Sequence, residues 1–510
     1  MKKIVFTIFL AAFFLLRPFS LQDTGGWYPN DDYDYFAQAS FLSFGQFPSY
    51  KNEFFTNLKE GPMGAIGSGM LAAPFVFMFS LLDRVEHSSI VEQRTVDNVP
   101  KSWSQFGFIF ASIFYFSVAC LLLFRGAALL VGPVFASWAV ILMVICQGMP
   151  LFAFRRPIFS QIPEFFLQSV FVYLFIRNEV SCGAFIRKWW TYVLLGIGAA
   201  LIFLTRNNNI MFALIWPLLF IGRYVEDRGL HRFLRRLCCV FIPFILMVMI
   251  FKILPEAYNH YTPYSNAFGN MLVGAPWQDI LQRLVHIFIG IDWGLIFTAP
   301  FFIFGLLGLF FIKMPFKRRL LFASTPLLVN FFVIVFFGSQ GGWYGYRYFI
   351  ASAFPLFVIP LAFLLQWLDE RVGIWWKWGS LLILLMPLMS MWCFEHPGLY
   401  LGVIQQSFGR SDYGHATYQG VVWQTVTTPS KFFWVIYQGG ISYLHYLYYI
   451  INHHFGFPAK TWIYNFLPID KKINLVLLPF EIKILVRTTI IYLMPFGIGW
   501  IFRKWTSALK

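Results

Sequence analysis

The chain has 510 residues, of which 58% are hydrophobic, 21% aromatic and only 12% charged, and its mean hydropathy is +0.65. A soluble domain carries about a quarter charged residues, so this composition excludes a water-soluble fold and indicates that lipid surrounds much of the protein. The net charge of +16 does not indicate nucleic-acid binding, because the basic residues occur in short clusters between apolar runs.

Apolar segments of membrane-helix length recur along the chain, and about twelve of them predict an all-α polytopic membrane protein. The first follows Met1-Lys2-Lys3 and is interpreted as an uncleaved membrane helix rather than a signal peptide. The apolar stretch from Met70 to Leu82 is shorter and predicts an interfacial helix within the first outside loop. The predicted spans lie near 3–20, 105–124, 127–146, 162–177, 190–204, 209–222, 237–253, 294–312, 320–338, 348–366, 378–393 and 484–502.

Basic residues in the loops predict the orientation, because cytoplasmic loops carry an excess of Lys and Arg. Alternating crossings with the N-terminus inside put nearly all of the net charge of +16 on one side and both termini in the cytoplasm. We therefore expect a multi-pass protein of the inner (cytoplasmic) membrane. Residues 1–393 are predicted to form a transmembrane module that includes the first outside loop, 21–104. Residues 394–483 would form an aromatic-rich outside loop or small domain, and 484–510 the last membrane helix and a cytoplasmic tail.

An acidic cluster opens the first outside loop, where Asp31, Asp32 and Asp34 precede a helical pattern. Carboxylates at a helix start are favoured by capping and by the helix dipole, so a structural role suits Asp34 well. Asp31 and Asp32 exceed what a cap needs, and clustered like charges are unfavourable unless a cation or substrate compensates them. We interpret Asp31 and Asp32 as candidate catalytic residues.

Basic residues on the same predicted face are candidate phosphate ligands. Arg206 interrupts a tight turn between two apolar helices, and Arg347 follows a stretch rich in Gly and aromatic residues. Such side chains also anchor helices at the membrane surface, and that alternative stays open for each. Guanidinium groups suit bidentate binding of phosphate oxygens, so the pattern favours group transfer from a phosphate carrier. The candidate ligands are Lys59, Arg155, Arg156, Arg206, Tyr346 and Arg347.

The order of these motifs resembles the bacterial membrane glycosyltransferases of the GT-C superfamily. That group includes the dolichyl-phosphate-mannose protein mannosyltransferases and the lipid A aminoarabinose transferase. The segments that carry the likeness are the acidic and aromatic run 30–36, the Gly-rich stretch 61–69 with Ala73-Pro74-Phe75 after it, and the run 343–348. The last outside loop, 394–483, does not match the family.

The resemblance implies an inverting transfer of a sugar from a polyprenyl phosphate to an acceptor on the outer, periplasmic face. Asp31 would remove the proton of the acceptor hydroxyl, and Asp32 would orient the acceptor or hold a divalent cation. Lys59, Arg206 and Arg347 would stabilise the charge on the departing lipid phosphate. The family is mixed in its use of metals, so the metal requirement stays open, and the acceptor is a lipid, a glycan or a protein.

Two other functions stay open from the sequence. A polysaccharide polymerase or ligase that uses a diphosphate-linked glycan would also need outside arginines and a long outside loop, but not the acidic pair. A lipid or solute transporter would place polar residues at mid-membrane depth on several helices, whereas the predicted helix interiors are largely Phe, Leu, Ile and Val.

Overall fold

A computed structural model shows the chain as helices joined by turns throughout the residues that it describes. Helices suit a lipid environment because they satisfy their backbone hydrogen bonds internally. The described residues are 31–45, 65–85, 103–145, 147–150, 152–153, 160–181, 188–222, 230–258, 284, 287–288, 295–337, 347–395, 497 and 500–501.

The α-helices, numbered in chain order, are α1 (Asp31–Ser43), α2 (Gly67–Val85), α3 (Trp103–Val131), α4 (Pro133–Val140), α5 (Gln161–Val180), α6 (Trp189–Thr205), α7 (Ile210–Gly222), α8 (Leu230–Val248), α9 (Leu254–Tyr258), α10 (Leu295–Thr298), α11 (Pro300–Gly308), α12 (Phe316–Phe337), α13 (Arg347–Val372) and α14 (Trp375–Glu395). Short π-helical turns follow α4 and α8 at Ile141–Ile145 and Met249–Ile253, and 3-10 turns follow α6 and α11 at Asn207–Asn209 and Leu309–Phe311.

Within the described ranges, four helices are long and apolar enough to cross a membrane: Gly67–Val85, Trp103–Val131, Phe233–Ala257 and Phe349–Val372. Shorter apolar helices occupy Pro133–Ile145, Trp189–Thr205, Asn207–Gly222 and Pro300–Phe311. The expected total of about twelve crossings is not established, because the predicted first span lies outside the described residues and only three positions of the last are described. The predicted loop or small domain at 394–483 lies outside them as well, apart from its first two residues.

The segment from Met70 to Leu82, expected to be too short to span, belongs to the longer helix α2, whose 19 residues satisfy the length for a crossing. The apolar run underestimated the helix because polar and small residues extend it at both ends. Gly67 and Ser68 begin it and Asp83 continues it, and all three are buried. Packing against neighbouring helices thus overrides the local hydropathy that the prediction used.

Asp83 holds the start of α3 from a different helix. Its Oδ1 and Oδ2 atoms accept hydrogen bonds from the backbone N–H groups of Trp103 and Ser104 at 2.6 and 2.7 Å. Farther along, the Tyr115 hydroxyl of α3 donates to the Leu71 carbonyl of α2 at 2.8 Å. These contacts fix α2 and α3 as an antiparallel pair, and the Asp83 carboxylate satisfies two of the four N–H groups that every helix start leaves open.

A glycine and a proline end α3 and begin α4. Gly132 has φ +83, a conformation that favours glycine, and Pro133 takes the first position of α4, where a missing N–H costs nothing. The sequence prediction had divided these helices near Arg125, but α3 continues to Val131. A single charged residue therefore did not mark the helix end, whereas the backbone-breaking pair did.

The bundle is centred on α3, α5 and α13. In the most apolar 18-residue stretches of α3 and α13, 83% and 89% of the stretch is buried inside the protein. In the corresponding stretch of the helix Phe233–Ala257 only 6% is buried, so that helix faces the surroundings. Between α5 and α7, Trp216 Nε1 donates to Gln168 Oε1 at 2.8 Å. Helix α5 contacts both α3 and α13. Its N-terminal end is therefore well placed to bind polar side chains from several helices.

Candidate functional site

A buried ion pair joins α5 to the turn after α6. Arg206 Nη1 donates to Glu164 Oε2 at 2.7 Å, and Arg206 Nε donates to Ser160 Oγ at 3.1 Å. The other carboxylate oxygen, Glu164 Oε1, accepts a hydrogen bond from the Ser352 hydroxyl of α13. Glu164 is 1% exposed and Arg206 is 8% exposed, so both charges lie inside the protein. One carboxylate therefore ties three segments of the chain together at one end of the bundle.

The backbone around Arg206 explains how a charged residue sits between two apolar helices. Helix α6 ends at Thr205, and Arg206 adopts an extended conformation with φ −161 and ψ 130. Its carbonyl accepts the N–H of Asn209 at 3.0 Å and so begins the 3-10 turn that leads into α7. The turn aims the guanidinium back toward α5 instead of leaving it on the α6 surface.

Helix α2 begins against this turn. A Cβ atom added to Gly67 would lie 2.5 Å from the Leu204 carbonyl carbon and 2.5 Å from the Thr205 backbone nitrogen, so only glycine permits the approach. Two residues later, a Cβ on Gly69 would lie 2.8 Å from Gln38 Cβ on α1. The start of α2 is therefore packed between α1 and the residue that precedes Arg206.

Helices α1 and α2 run parallel. Gly69 lies against Gln38 and its neighbours, and Ser43 Oγ, at the end of α1, donates to the Ala73 carbonyl at 2.8 Å. Because later residues of α1 meet later residues of α2, the two helix starts lie at the same end. That end, where α1, α2, α5 and α13 begin and α6 finishes, is called the Arg206 end below.

Asp31 and Asp32 form the first turn of α1. The predicted helical pattern after the acidic cluster is thus a helix, which ends at Ser43 before Gly45 with φ +66. The carbonyl oxygen of Tyr35 lies 3.2 Å from a Cβ atom built on Gly69. Asp31 precedes Tyr35 by one helical turn, or about 6 Å along the helix axis. The structure therefore brings the backbone of the acidic turn to the Arg206 end.

Arg347 is the first residue of α13. It precedes Ser352, the partner of Glu164, by five residues, which corresponds to about 7.5 Å along the helix axis. The other predicted ligands, Lys59, Arg155, Arg156 and Tyr346, lie outside the described residues. Of the predicted set, the structure thus gathers the acidic turn, Arg206 and the start of α13 at one end.

Three residues of this end were absent from the sequence prediction: Ser160, Glu164 and Ser352. Glu164 carried a usable signal, since a carboxylate within the predicted span 162–177 is costly in lipid and marks a functional or paired position. The two serines carried none, because small hydroxyl residues are common in membrane helices.

Further polar atoms are buried beside the ion pair. Gln161 Oε1 and Asn209 Nδ2 are both buried and form no hydrogen bond within the described part of the chain. Buried polar groups are nearly always hydrogen-bonded, so their partners come from water, from a ligand or from residues outside the described ranges. Among the described side chains, no group of three or more His, Cys, Asp or Glu residues is arranged to hold a metal ion.

Comparisons with known proteins give a distant likeness in structure. No protein-family model matches the chain, and no characterised protein matches it in sequence. The apo oligosaccharyltransferase of Archaeoglobus fulgidus aligns with a TM-score of 0.42 and 13% identity over 81% of this chain. The archaeal oligosaccharyltransferase AglB from Archaeoglobus fulgidus, in complex with an inhibitory peptide and a dolichol-phosphate, aligns with a TM-score of 0.41 and 12% identity, again over 81% of this chain. Each alignment covers 58% of the archaeal chain, so this protein spans less than two thirds of its length.

Proposed function

We propose that this protein is a membrane glycosyltransferase that moves a sugar from a polyprenyl phosphate to an acceptor at the outer face of the inner membrane. One observation supports the proposal above the others: the acidic first turn of α1 and the start of α13 at Arg347 lie at the same end of the bundle. The turn at Arg206 lies at that end too, in contact with the starts of α2 and α5. A base and phosphate-binding groups at one end are what transfer from a lipid phosphate requires.

In the proposed reaction, Asp31 accepts the proton of the acceptor hydroxyl as its oxygen attacks the anomeric carbon. The new C–O bond forms on the face opposite the lipid phosphate, and the bond from the anomeric carbon to the phosphate oxygen breaks, so the configuration inverts. The electron pair leaves with the polyprenyl phosphate, and the proton stays on Asp31. Asp32, the next residue of the same turn, orients the acceptor or holds a divalent cation against the phosphate.

The departing phosphate is assigned first to Arg347. It begins α13, and the N–H groups of a helix start add a partial positive charge to that of the side chain. Lys59, Arg155, Arg156 and Tyr346 belong to segments predicted on the same face and complete the proposed ligand set.

Arg206 has a second duty in the proposal. Its Nη1 and Nε atoms already donate to Glu164 and Ser160, and the Glu164 charge offsets its own. A guanidinium in that position binds an anion more weakly than one without a carboxylate beside it. We therefore assign Arg206 a smaller share of the phosphate charge and a larger share in positioning the polar atoms at its end of the bundle.

A transfer assay tests the proposal. Full-length protein in lipid vesicles receives a radiolabelled pool of polyprenyl-phosphate sugars and a crude envelope acceptor fraction, both extracted from the cells that naturally produce it. Asp31→Asn is expected to lower the rate by at least about 100-fold, the contribution of a positioned general base. Asp34→Asn, a charge change in the same helical turn, serves as the matched control and is expected to stay within about twofold.

Two outcomes count against the assignment. Transfer that proceeds at the normal rate in Asp31→Asn removes Asp31 as the base. Acceptance of diphosphate-linked glycans with no turnover of monophosphate-linked sugars moves the protein to the polymerase or ligase class.

A further inference from the structure

A cavity lies at the opposite end of the bundle from Arg206. It has a volume of about 750 Å³ and is bounded by the last residues of α5, the segment between α11 and α12, and the C-terminal half of α13. Glu179 lines it, fifteen residues beyond Glu164 on α5, which places the cavity about 22 Å away along that helix. The site proposed for glycosyl transfer therefore plays no part in this cavity.

Charges of both signs line the cavity. Lys313 and Arg319 supply two positive charges, and Glu179 and Glu370 supply two negative ones. Arg319 Nη1 donates to Glu179 Oε1 at 3.0 Å, so one pair is already formed within the wall. Lys313 and Glu370 are both exposed. The lining thus offers a cation and an anion to a ligand and carries no net charge.

The rest of the lining is apolar and aromatic. Phe311 and Trp367 pack against each other with ring centroids 4.5 Å apart and ring planes tilted by 31°, and both line the cavity. Large apolar side chains stand exposed beside it, with Phe310 76% and Val180 50% exposed. Such a surface suits lipid, and an aromatic ring at the mouth is the usual arrangement at the boundary between acyl chains and head groups.

We infer that this cavity binds the head group of a zwitterionic phospholipid that carries a primary amine, of the phosphatidylethanolamine class. The phosphate fits the ammonium of Lys313, and the ammonium of the head group fits the carboxylate of Glu370, whereas Arg319 and Glu179 are paired with each other. A purely anionic lipid would meet the exposed Glu370 carboxylate, whereas a zwitterionic head group matches both signs. The apolar wall takes the first part of the acyl chains. The basic loops around the cavity are predicted to face the cytoplasm, so the lipid belongs to the inner leaflet.

Native mass spectrometry measures the selectivity. The full chain is incorporated into nanodiscs with equal amounts of phosphatidylethanolamine, phosphatidylcholine and phosphatidylglycerol, released in mild detergent, and its bound lipids are counted. The ethanolamine lipid is expected to exceed each of the others by about twofold to fivefold. Over phosphatidylglycerol it gains one partly exposed ion pair, and over phosphatidylcholine it gains the N–H bonds that only a primary ammonium donates to Glu370.

Variants separate the two charges. Glu370→Gln is expected to reduce the preference for the ethanolamine lipid over the choline lipid, because the neutral amide oxygen is a weaker acceptor for the N–H groups that only the primary ammonium has. Lys313→Gln is expected to reduce retention of both zwitterionic lipids alike. Lys317→Gln is the matched control, since Lys317 lies four residues after Lys313, in the first turn of α12, with its Nζ 5.2 Å from the centroid of the Phe310 ring and outside the cavity.

Three results overturn the inference. Phosphatidylglycerol retained as well as or better than the ethanolamine lipid would mean that the basic side chains alone govern binding. An unchanged lipid ratio in Glu370→Gln would remove the amine contact. Equal effects of Lys313→Gln and Lys317→Gln would assign the retention to the general surface charge. The exposed positions of Lys313 and Glu370 keep both variants folded, so the test does not depend on the Arg319 pair.

Discussion

Arg206 and Glu164 form a 2.7 Å ion pair between residues 42 positions apart in the chain, and both side chains are almost fully buried. Buried ion pairs add little stability relative to apolar replacements of the same shape. Removing one partner alone lowers the stability strongly, because it leaves an uncompensated charge inside the protein. The main effect of the pair is therefore to align the starts of α5 and α13 with the end of α6.

Removing the Glu164 charge is expected to destabilise the fold strongly. Glu164→Gln leaves the buried Arg206 guanidinium without its carboxylate, and we expect a loss of about 3–5 kcal/mol in the free energy of unfolding. Unfolding by sodium dodecyl sulfate in mixed micelles measures it. The double variant Glu164→Gln with Arg206→Gln should recover part of the loss. Glu256→Gln breaks the partly exposed Lys252–Glu256 pair and should cost about 0.5 kcal/mol or less. Equal losses in the two single variants would contradict the buried-charge explanation.

Arg347 is expected to affect turnover more than stability. Arg347→Gln should lower glycosyl transfer on the order of 100-fold, as does loss of one group that stabilises a developing negative charge. Arg347→Lys should retain part of the rate because it keeps the charge without the bidentate geometry. Arg371→Gln, in the last turn of the same helix, is the control. A normal rate in Arg347→Gln with normal polyprenyl-phosphate binding would exclude its role at the leaving group.

Gly67 is expected to tolerate no side chain. Gly67→Ala puts a methyl group 2.5 Å from the backbone of Leu204 and Thr205, so α2 must move away, at a cost of about 1–3 kcal/mol. Gly379 on α14 has nothing within 4 Å of the same methyl, and Gly379→Ala should be neutral or stabilising by up to about 1 kcal/mol. Thermal unfolding in detergent compares the two, and equal midpoints would show that the close approach is absent.

The orientation of the chain is testable by chemical labelling. In a variant without its six native cysteines, Asp32→Cys should react with a membrane-impermeant maleimide added to intact spheroplasts. Met314→Cys, at a position 57% exposed in the segment before α12, should react only after permeabilisation. The opposite pattern would place the acidic turn in the cytoplasm and remove the basis of the proposed function.

The sequence predicted helices best where charged or turn residues bounded an apolar run. The expected spans 190–204 and 209–222 correspond to α6 and α7 within one residue at each end, because Lys188 and the Arg206 turn enclose them. It failed where packing decided the boundary: α2 is longer than its apolar run because Gly67 and Asp83 are buried by neighbouring helices. Local hydropathy carries no information about such neighbours.

The candidate site was predicted in the same uneven way. Arg206 was visible because a charge between two apolar helices is conspicuous in the sequence. Its partnership with Glu164 was not, since the pairing depends on how α5 and α6 pack. The bond from Ser352 spans 188 positions, and an ordinary serine within an apolar helix gives no local signal. The roles of Asp31, Asp32 and Arg347 stay predictions that the transfer assay decides.

The two hydrogen bonds from the start of α3 to Asp83 have a practical consequence for protein engineering. Because its carboxylate binds the backbone of Trp103 and Ser104 directly, the register of the α2–α3 hairpin is set by side-chain contacts at the end where the chain passes from α2 to α3. None of these hydrogen bonds uses a residue of the segment 86–102, which joins the two helices. An insertion into that segment is therefore expected to leave the register in place, so a small rigid domain can be grafted there as a marker for electron cryomicroscopy, with Tyr115 and Asp83 keeping the two helices in alignment.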